Sequence, residues 1–209
     1  MYLPEQFREI DPAEIADIIA AAPLGCVVAQ TSAALVANHM PLLADKDGTL
    51  VGHIALANDM HRLVAEGQDV LVIFQGVDGY VSPNFYPSKA EHHRHVPTWN
   101  YQVVHMHGTI SFQHDERSKR AAVGLLTRQH ERRLNGDKAW RMADAPDDYM
   151  TDMLGKIVGF RIAVTRTIAK SKLSQNRDQR DFDGAVERLE KAGDTALADR
   201  MAARRNGAE

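Results

Sequence analysis

Residues 25–56 read G-C-V-V-A-Q-T-S-A-A-L-V-A-N-H-M-P-L-L-A-D-K-D-G-T-L-V-G-H-I-A-L, and the period of this stretch decides the fold. Its apolar runs, C-V-V-A-Q, A-L-V-A-N-H-M-P-L-L and L-V-G-H-I-A-L, are short and broken by turn-forming residues, most clearly Asp45-Lys46-Asp47-Gly48. Short runs between such turns predict an antiparallel meander. Upstream, Asp11-Pro12-Ala13-Glu14 is a helix start. Asp11 caps, Pro12 sits where a missing N–H costs nothing, and Glu14 faces the positive end of the dipole. Ile15, Ile18, Ile19 and Ala22 form the apolar face of that helix, and Pro23-Leu24-Gly25 ends it. Downstream, Asn58 or Asp59 caps a short helix through Arg62, Leu63 and Val64, Gly67 ends it, and D-V-L-V-I-F from Asp69 to Phe74 predicts a buried strand.

Residues 80–108 hold three of the five Tyr, one of the two Trp and half of the ten His. Pro83, Pro87 and Pro97 deny a regular ladder to the first part, which predicts an irregular excursion from Ser82 to Val96. After Pro97 a strand begins. Trp99, Tyr101, Val103, His105 and His107 share one face, and Asn100, Gln102, Val104 and Met106 share the other. Rings, amides and imidazoles gathered by a strand and a covering loop suit a planar ligand with polar edges, and they equally suit an aromatic core strand beneath a solvated loop.

Beyond Phe112 the pattern turns helical, with Val123, Leu125, Leu126 and Leu134 among Arg and Lys, and Pro146 opens a helix with Tyr149, Met150, Met153 and Leu154. This is a helical insertion over about 115–156. A strand, I-V-G-F-R-I-A-V-T-R-T-I, then leads through K-S-K-L-S-Q-N-R to a helical tail over about 180–206. Several antiparallel strands with few intervening helices favour a small closed barrel over a βαβ sheet, mainly β with helical insertions, in one domain spanning residues 1–209.

Composition narrows the function. A formal net charge of −3 argues against bulk polyanion binding. The single Cys26, expected to be buried, excludes an internal disulfide and a Cys-pair zinc site, and a reducing cytoplasm is the expected location. The N-terminus lacks the basic start and apolar run of a signal peptide, and no stretch reaches bilayer length, so no membrane partner is expected. No G-x-S-x-G elbow frames Ser82, Ser88, Ser111 or Ser174, which argues against a hydrolase. His92, His93 and His95 lack a carboxylate or Cys at ligand spacing, and no metal is assigned to them.

The motifs P-L-G-C-V-V (residues 23–28), N-H-M-P-L-L (38–43), G-H-I-A-L-A-N (52–58), V-L-V-I-F-Q-G (70–76), Y-V-S-P-N-F-Y-P-S-K, V-P-T-W-N-Y, His130-Glu131, D-A-P-D-D-Y and K-L-S-Q-N-R together resemble the PaiB family of FMN-binding negative transcriptional regulators. The resemblance covers nearly the whole chain. W-N-Y followed by K-L-S-Q-N is its most specific pair. It implies a split β-barrel of the pyridoxamine-phosphate-oxidase type, a homodimer, and FMN between subunits. The chain is richer in His than the family pattern at Glu91-His92-His93-Arg94-His95 and Met106-His107.

FMN needs donors for a phosphate, a flat slot for its ring, and polar groups at the edge where negative charge develops on reduction. On the phosphate side the candidates are His53, Ala57, Asn58 and His61, at the strand-to-helix step where exposed amides favour an anion. Asn58 as a plain helix cap, with His61 solvated, is the competing reading. Thr98, Trp99, Asn100 and Tyr101 are the candidates for flanking and binding the ring, although Trp99 equally suits core packing. Lys172, Ser174, Gln175 and Asn176 stand where related barrels carry a C-terminal flavin contact, and Lys172 would stabilise an anionic reduced ring. A solvated exit from the last strand is the alternative there. Lys89 is a weaker phosphate candidate, and His39 looks toward the same cavity from its strand.

For a DNA partner, which the resemblance alone implies, the tail offers Arg200, Arg204 and Arg205, and the insertion offers Arg117, Lys119, Arg120, Arg128, Arg132 and Arg133. The tail is a poor helix-turn-helix. The competing class is an FMN-dependent oxidoreductase using a reduced nicotinamide or a small-molecule donor, which needs no visible catalytic acid.

Overall fold

The computed structural model describes residues 1–45 and 47–206; Lys46 of the expected turn, and the side chain of Arg205 in the tail, lie outside them. In chain order the elements are β1 (Arg8–Glu9), α1 (Pro12–Ala21), β2 (Leu24–Gln30), β3 (Leu35–Pro41), β4 (Leu43–Ala44), β5 (Leu50–Ala55), α2 (Met60–Leu63), β6 (Asp69–Val81), α3 (Lys89–His92), β7 (Thr98–Gln113), α4 (Glu116–Asn135), α5 (Asp147–Gly155), β8 (Ile157–Lys172), α6 (Gln179–Ala192) and α7 (Thr195–Asn206). The strands run in the order β3-β2-β6-β7-β8-β5-β4, and β1 pairs with β8. β2 pairs with β3 and β6, β5 with β4 and β8, and β1 with β8, each pair antiparallel.

The meander expected over residues 25–56 is only half formed. β2 and β3 make a hairpin, but β5 pairs with β8 and β4 rather than with β3. Leu50, Val51 and Ile54 of β5 are all buried, so the strand needs long, largely apolar partners, and β8 supplies one. The chain divides into two compact units that the three long strands β6, β7 and β8 thread.

The second unit holds residues 23–74 and 105–167. Here β3, one end of the strand path, contacts β5, the strand next to the other end, as a closing barrel requires. The packing explains two glycines. A Cβ at Gly25 would lie 2.8 Å from Leu42 Cδ1, and one at Gly52 would lie 2.5 Å from Phe160 Cζ and 2.8 Å from Leu42 Cδ2. Their absence lets Leu42 and Phe160 fill the interior, each contributing about 1.5–3 kcal/mol by burial. α4 starts at Asp115, whose carboxylate accepts the Ser118 N–H. Lys119 on α4 is buried and donates to the Leu154 carbonyl at 3.2 Å. Cys26 is half-buried on β2, not enclosed, because it falls on the face opposite Val27 and Ala29.

The first unit gathers residues 1–22, 75–104 and 168–206 of the described chain. α1 is capped as expected, Asp11 accepting the Ala13 N–H at 2.9 Å with Pro12 in the first turn. α6 runs from Asp178, which accepts the Asp181 N–H, to Gly193 at φ +90, a conformation that favours glycine. Phe182, Ala185 and Leu189 of α6 and Leu197, Ala198 and Met201 of α7 close a core over Val81, Tyr86 and Leu173. The tail is thus a packed helical hairpin. Arg204 pairs with buried Glu9 at 2.6 Å, and Arg200 lies 3.8 Å from Glu14 and 3.9 Å from Asp17.

Candidate functional site

The candidate residues fall into two sets, one in each unit. In the first unit, the start of β7 and the end of β8 are joined side chain to side chain. Gln102 donates to the Ser171 hydroxyl at 3.1 Å, and Asn100 donates to the Ser174 hydroxyl at 2.8 Å and to Met201 Sδ at 3.5 Å. Lys172 donates to the Thr98 hydroxyl and to the Trp99 carbonyl, the latter at 2.6 Å. Two sequence motifs some 70 residues apart are therefore one place in the structure.

The faces of β7 alternate as the sequence predicts, but the amide face is the interior one. Asn100 and Gln102 are 0% and 1% exposed, whereas Trp99 is 50% exposed. Trp99 is therefore not a core tryptophan. Its indole N–H donates to Asp78 at 2.9 Å, and its ring meets the edge of Tyr80 at 6.3 Å. Asn100 Oδ1 is buried without a partner among the described residues. Ser174 takes a left-handed backbone at φ +63, which turns the chain out of β8. Gln175 is fully engaged, accepting the Leu173 N–H and donating to the Gln6 and Ser171 carbonyls. Asn176 is exposed, and Lys89 donates to the Asn84 side chain.

Sequence reasoning did not single out Lys170 and Arg177. Lys170 is 5% exposed, donates to the Tyr2 carbonyl and lies 5.0 Å from the Tyr101 ring centre. Arg177 lies over Tyr86 and faces His95 Nδ1 at 3.4 Å. Burial, then the charges of Lys170 and Arg177, push the Lys172 ammonium below its ordinary pKa. None of the three has an ion-pair partner among the described residues. Around Lys172 the place is short of negative charge, whereas Arg177 also feels the charge of Asp181.

A second network was also missed in sequence. Asp181, 1% exposed, accepts the Ser88 N–H at 3.0 Å and the Ser88 hydroxyl at 2.6 Å. His95 Nε2 reaches the Ser88 hydroxyl at 2.7 Å and Asp181 at 3.3 Å. His95, read in sequence as part of a solvated cluster, is instead a buried anchor of the proline-rich loop. A carboxylate on a helix 93 residues away leaves no local signal.

In the second unit, Asn58 accepts the Met60 N–H at 2.9 Å and donates to Asn38 at 2.9 Å, so its side chain holds the turn and ties it to β3. α2 is a single turn, too short for the macrodipole expected to draw a phosphate. His61 Nε2 reaches the Leu56 carbonyl at 3.0 Å and packs edge-on against His114. Ala57 and His39 are exposed. His53 is half-buried, its Nδ1 has no partner among the described residues, and burial lowers its pKa.

Residues 1–166 match the family described as "Putative FMN-binding domain". The chain belongs to this family. Over 194 residues it is 33% identical to the protease synthase and sporulation protein PAI 2 of Bacillus subtilis (strain 168), covering 91% of this chain and 89% of that one. An uncharacterised protein of Emericella nidulans is 28% identical over 233 residues, with 94% and 93% covered. At 17% identity, the FAD and heme binding protein from Mycobacterium smegmatis shares the fold at a TM-score of 0.57, covering 79% of this chain and 73% of that one. The flavocytochrome Anf3 from Azotobacter vinelandii does so at 0.55 and 16% identity, covering 85% and 75%. The fold is the antiparallel split barrel of flavin-binding proteins, and the family's cofactor is FMN.

The residues of the first unit fit that cofactor: Lys172 and Arg177, without ion-pair partners among the described residues, suit an anionic group, and the exposed Trp99 and Tyr80 offer flat apolar surface. Of the residues expected to contact DNA, Arg200 and Arg204 of α7 face carboxylates, Lys119 of the insertion is buried and Arg120 pairs with Glu116 at 2.9 Å, while Arg117, Arg128, Arg132 and Arg133 are exposed.

Proposed function

We propose that the protein is a regulatory flavoprotein of the PaiB type, in which FMN is the responsive group and negative control of transcription is the output. The observation that carries this reading is the cluster of Lys170, Lys172 and Arg177, without ion-pair partners among the described residues, at the junction of the W-N-Y and K-L-S-Q-N motifs. Bound FMN supplies reversible electron transfer, with negative charge gained on reduction. Lys172 supplies positive charge beside the Thr98 hydroxyl, and a surplus of cations distinguishes a more anionic flavin from a less anionic one. Thr98 and Trp99 hold the Lys172 ammonium in place through the hydroxyl and the carbonyl. Relatedness to PAI 2 over nearly the whole chain supports the regulatory output. Because Arg200 and Arg204 face carboxylates, that output is assigned to a surface other than a reading helix in the tail. A cytoplasmic homodimer completes the reading; among the described residues no helix is long and apolar enough to cross a membrane.

The second reading, turnover as an FMN-dependent oxidoreductase, draws on the same cations. The deciding experiment titrates the purified protein with FMN, following the visible spectrum and the mass of the assembly. The flavin form is then assayed for NAD(P)H oxidation and, oxidised and reduced, for retardation of a promoter fragment. Retardation that changes with flavin state supports regulation. Rapid NAD(P)H oxidation without retardation replaces it with the enzyme, and a protein that ignores FMN refutes both.

A further inference from the structure

α4 and the segment after it line an open pocket of about 900 Å³ within the second unit, the size of a small-ligand site. Its floor is a face of α4 where Ala121, Gly124 and Thr127 recur at helical spacing, and these small side chains leave the hollow. The opposite wall is the segment 136–144. Two carboxylates hold that wall in shape. Glu131 accepts the Trp140 N–H at 2.9 Å and the Asn135 amide at 2.7 Å, and Asp144 accepts the Arg141 N–H at 2.8 Å.

The charge in this cavity runs against that of the chain. Five cations and two carboxylates, Asp137 and Asp144, line it in a chain of net charge −3. Arg120 and Arg141 are paired with Glu116 and Asp144. Arg128, Arg132 and Lys138 are exposed and have no ion pair among the described residues. Trp140, 42% exposed, supplies the one aromatic wall. Unpaired cations beside an exposed ring in a concave site match the two halves of a planar anion: the ring stacks and the anion is neutralised. A duplex needs a long convex-fitting stripe, and a cavity of this size takes about one nucleotide.

We propose that this cavity is a binding site, separate from the cofactor residues, for a small planar anion of the mononucleotide class. Arg128, Arg132 and Lys138 face its phosphate, and Trp140 faces its ring. The test is equilibrium dialysis of AMP against the FMN-saturated protein, with inorganic phosphate and a short DNA duplex as competitors. The expected result is saturable AMP binding with FMN retained. The double variant Arg128→Glu/Arg132→Glu, and separately Trp140→Ala, should each weaken it by about tenfold or more, since about 1.4 kcal/mol is tenfold in affinity. Both variants alter exposed side chains, and unchanged FMN binding and melting point would confirm their folding. Absence of AMP binding overturns the proposal. So does equal competition by inorganic phosphate with no effect of Trp140→Ala, which would mean a bare anion site. Displacement of FMN by AMP, or tight duplex binding without AMP binding, overturns it equally.

Discussion

Replacing Asp181 with Ala is expected to release the proline-rich loop and to lower stability by about 3–5 kcal/mol, the usual cost of removing one partner of a buried charged contact. The carboxylate is 1% exposed, accepts two hydrogen bonds from Ser88 and lies 3.3 Å from His95. Hydrogen bonds to a charged group contribute about 1.5–3 kcal/mol each, so two of them reach the same range independently. In a chain of this size about 1 kcal/mol moves the melting temperature by about 2–4 °C, and a thermal scan followed by circular dichroism should show a fall of roughly 6–20 °C. Ser88→Ala, which leaves the backbone contact, should cost only about 1.5–3 kcal/mol. Acidity supplies the second arm. Burial raises the Asp181 pKa, but the Ser88 hydrogen bonds and the charges of His95 and Arg177 outweigh it, so the net shift is below the ordinary 3.8. A depressed carboxyl stabilises the fold fully above its unfolded value and loses that contribution as the pH falls through the folded one. The gap between the parent and Asp181→Asn should therefore hold above pH 3.8 and shrink below it. A melting point for Asp181→Ala within about 2 °C of the parent, or a gap indifferent to acid, would refute the reasoning.

Lys172→Met should weaken FMN binding roughly ten- to a hundredfold, as loss of a charged hydrogen bond implies, with the circular dichroism spectrum unchanged; fluorescence titration of free FMN reads it. Burial lowers the His53 pKa, so below its ordinary 6.5 the unfolded chain binds more protons and stability is lost as the pH falls. His53→Gln should flatten that slope in urea titrations between pH 7 and about pH 5, and an unchanged slope would exonerate His53. Gly108→Ala places a Cβ 2.4 Å from the Ala163 carbonyl oxygen and 2.9 Å from Ile162 Cγ2, and a loss of about 1–3 kcal/mol or more is expected in the urea midpoint.

Local chemistry was legible in the sequence where its partners are local. The Asp11 cap, the proline-broken loop and the alternation of β7 depend on neighbours a few residues away. Which β7 face is interior was not legible, because Asn100 and Gln102 can be buried only if Ser174 and Ser171 meet them, and strand period carries no sign of that. The pairing of β5 failed for the same reason: sequence neighbours are only the commonest strand partners. Of the candidate site, W-N-Y and K-L-S-Q-N do come together, while Asn58 and Gln175 hold backbone. The Ser88, His95 and Asp181 network had no local trace beyond a histidine cluster read as solvated.

The first unit is assembled from three separated pieces of chain, the last beginning at Ile168, whereas the second unit is complete at Thr167. On a ribosome adding about 5–20 residues per second, Gln102 waits roughly 3–14 s for Ser171, which follows 69 residues later. An apolar strand face left open that long would invite pairing with other nascent chains. Amides remain content in water. Asn100 and Gln102 thus keep the start of β7 wettable until the last segment arrives to enclose it.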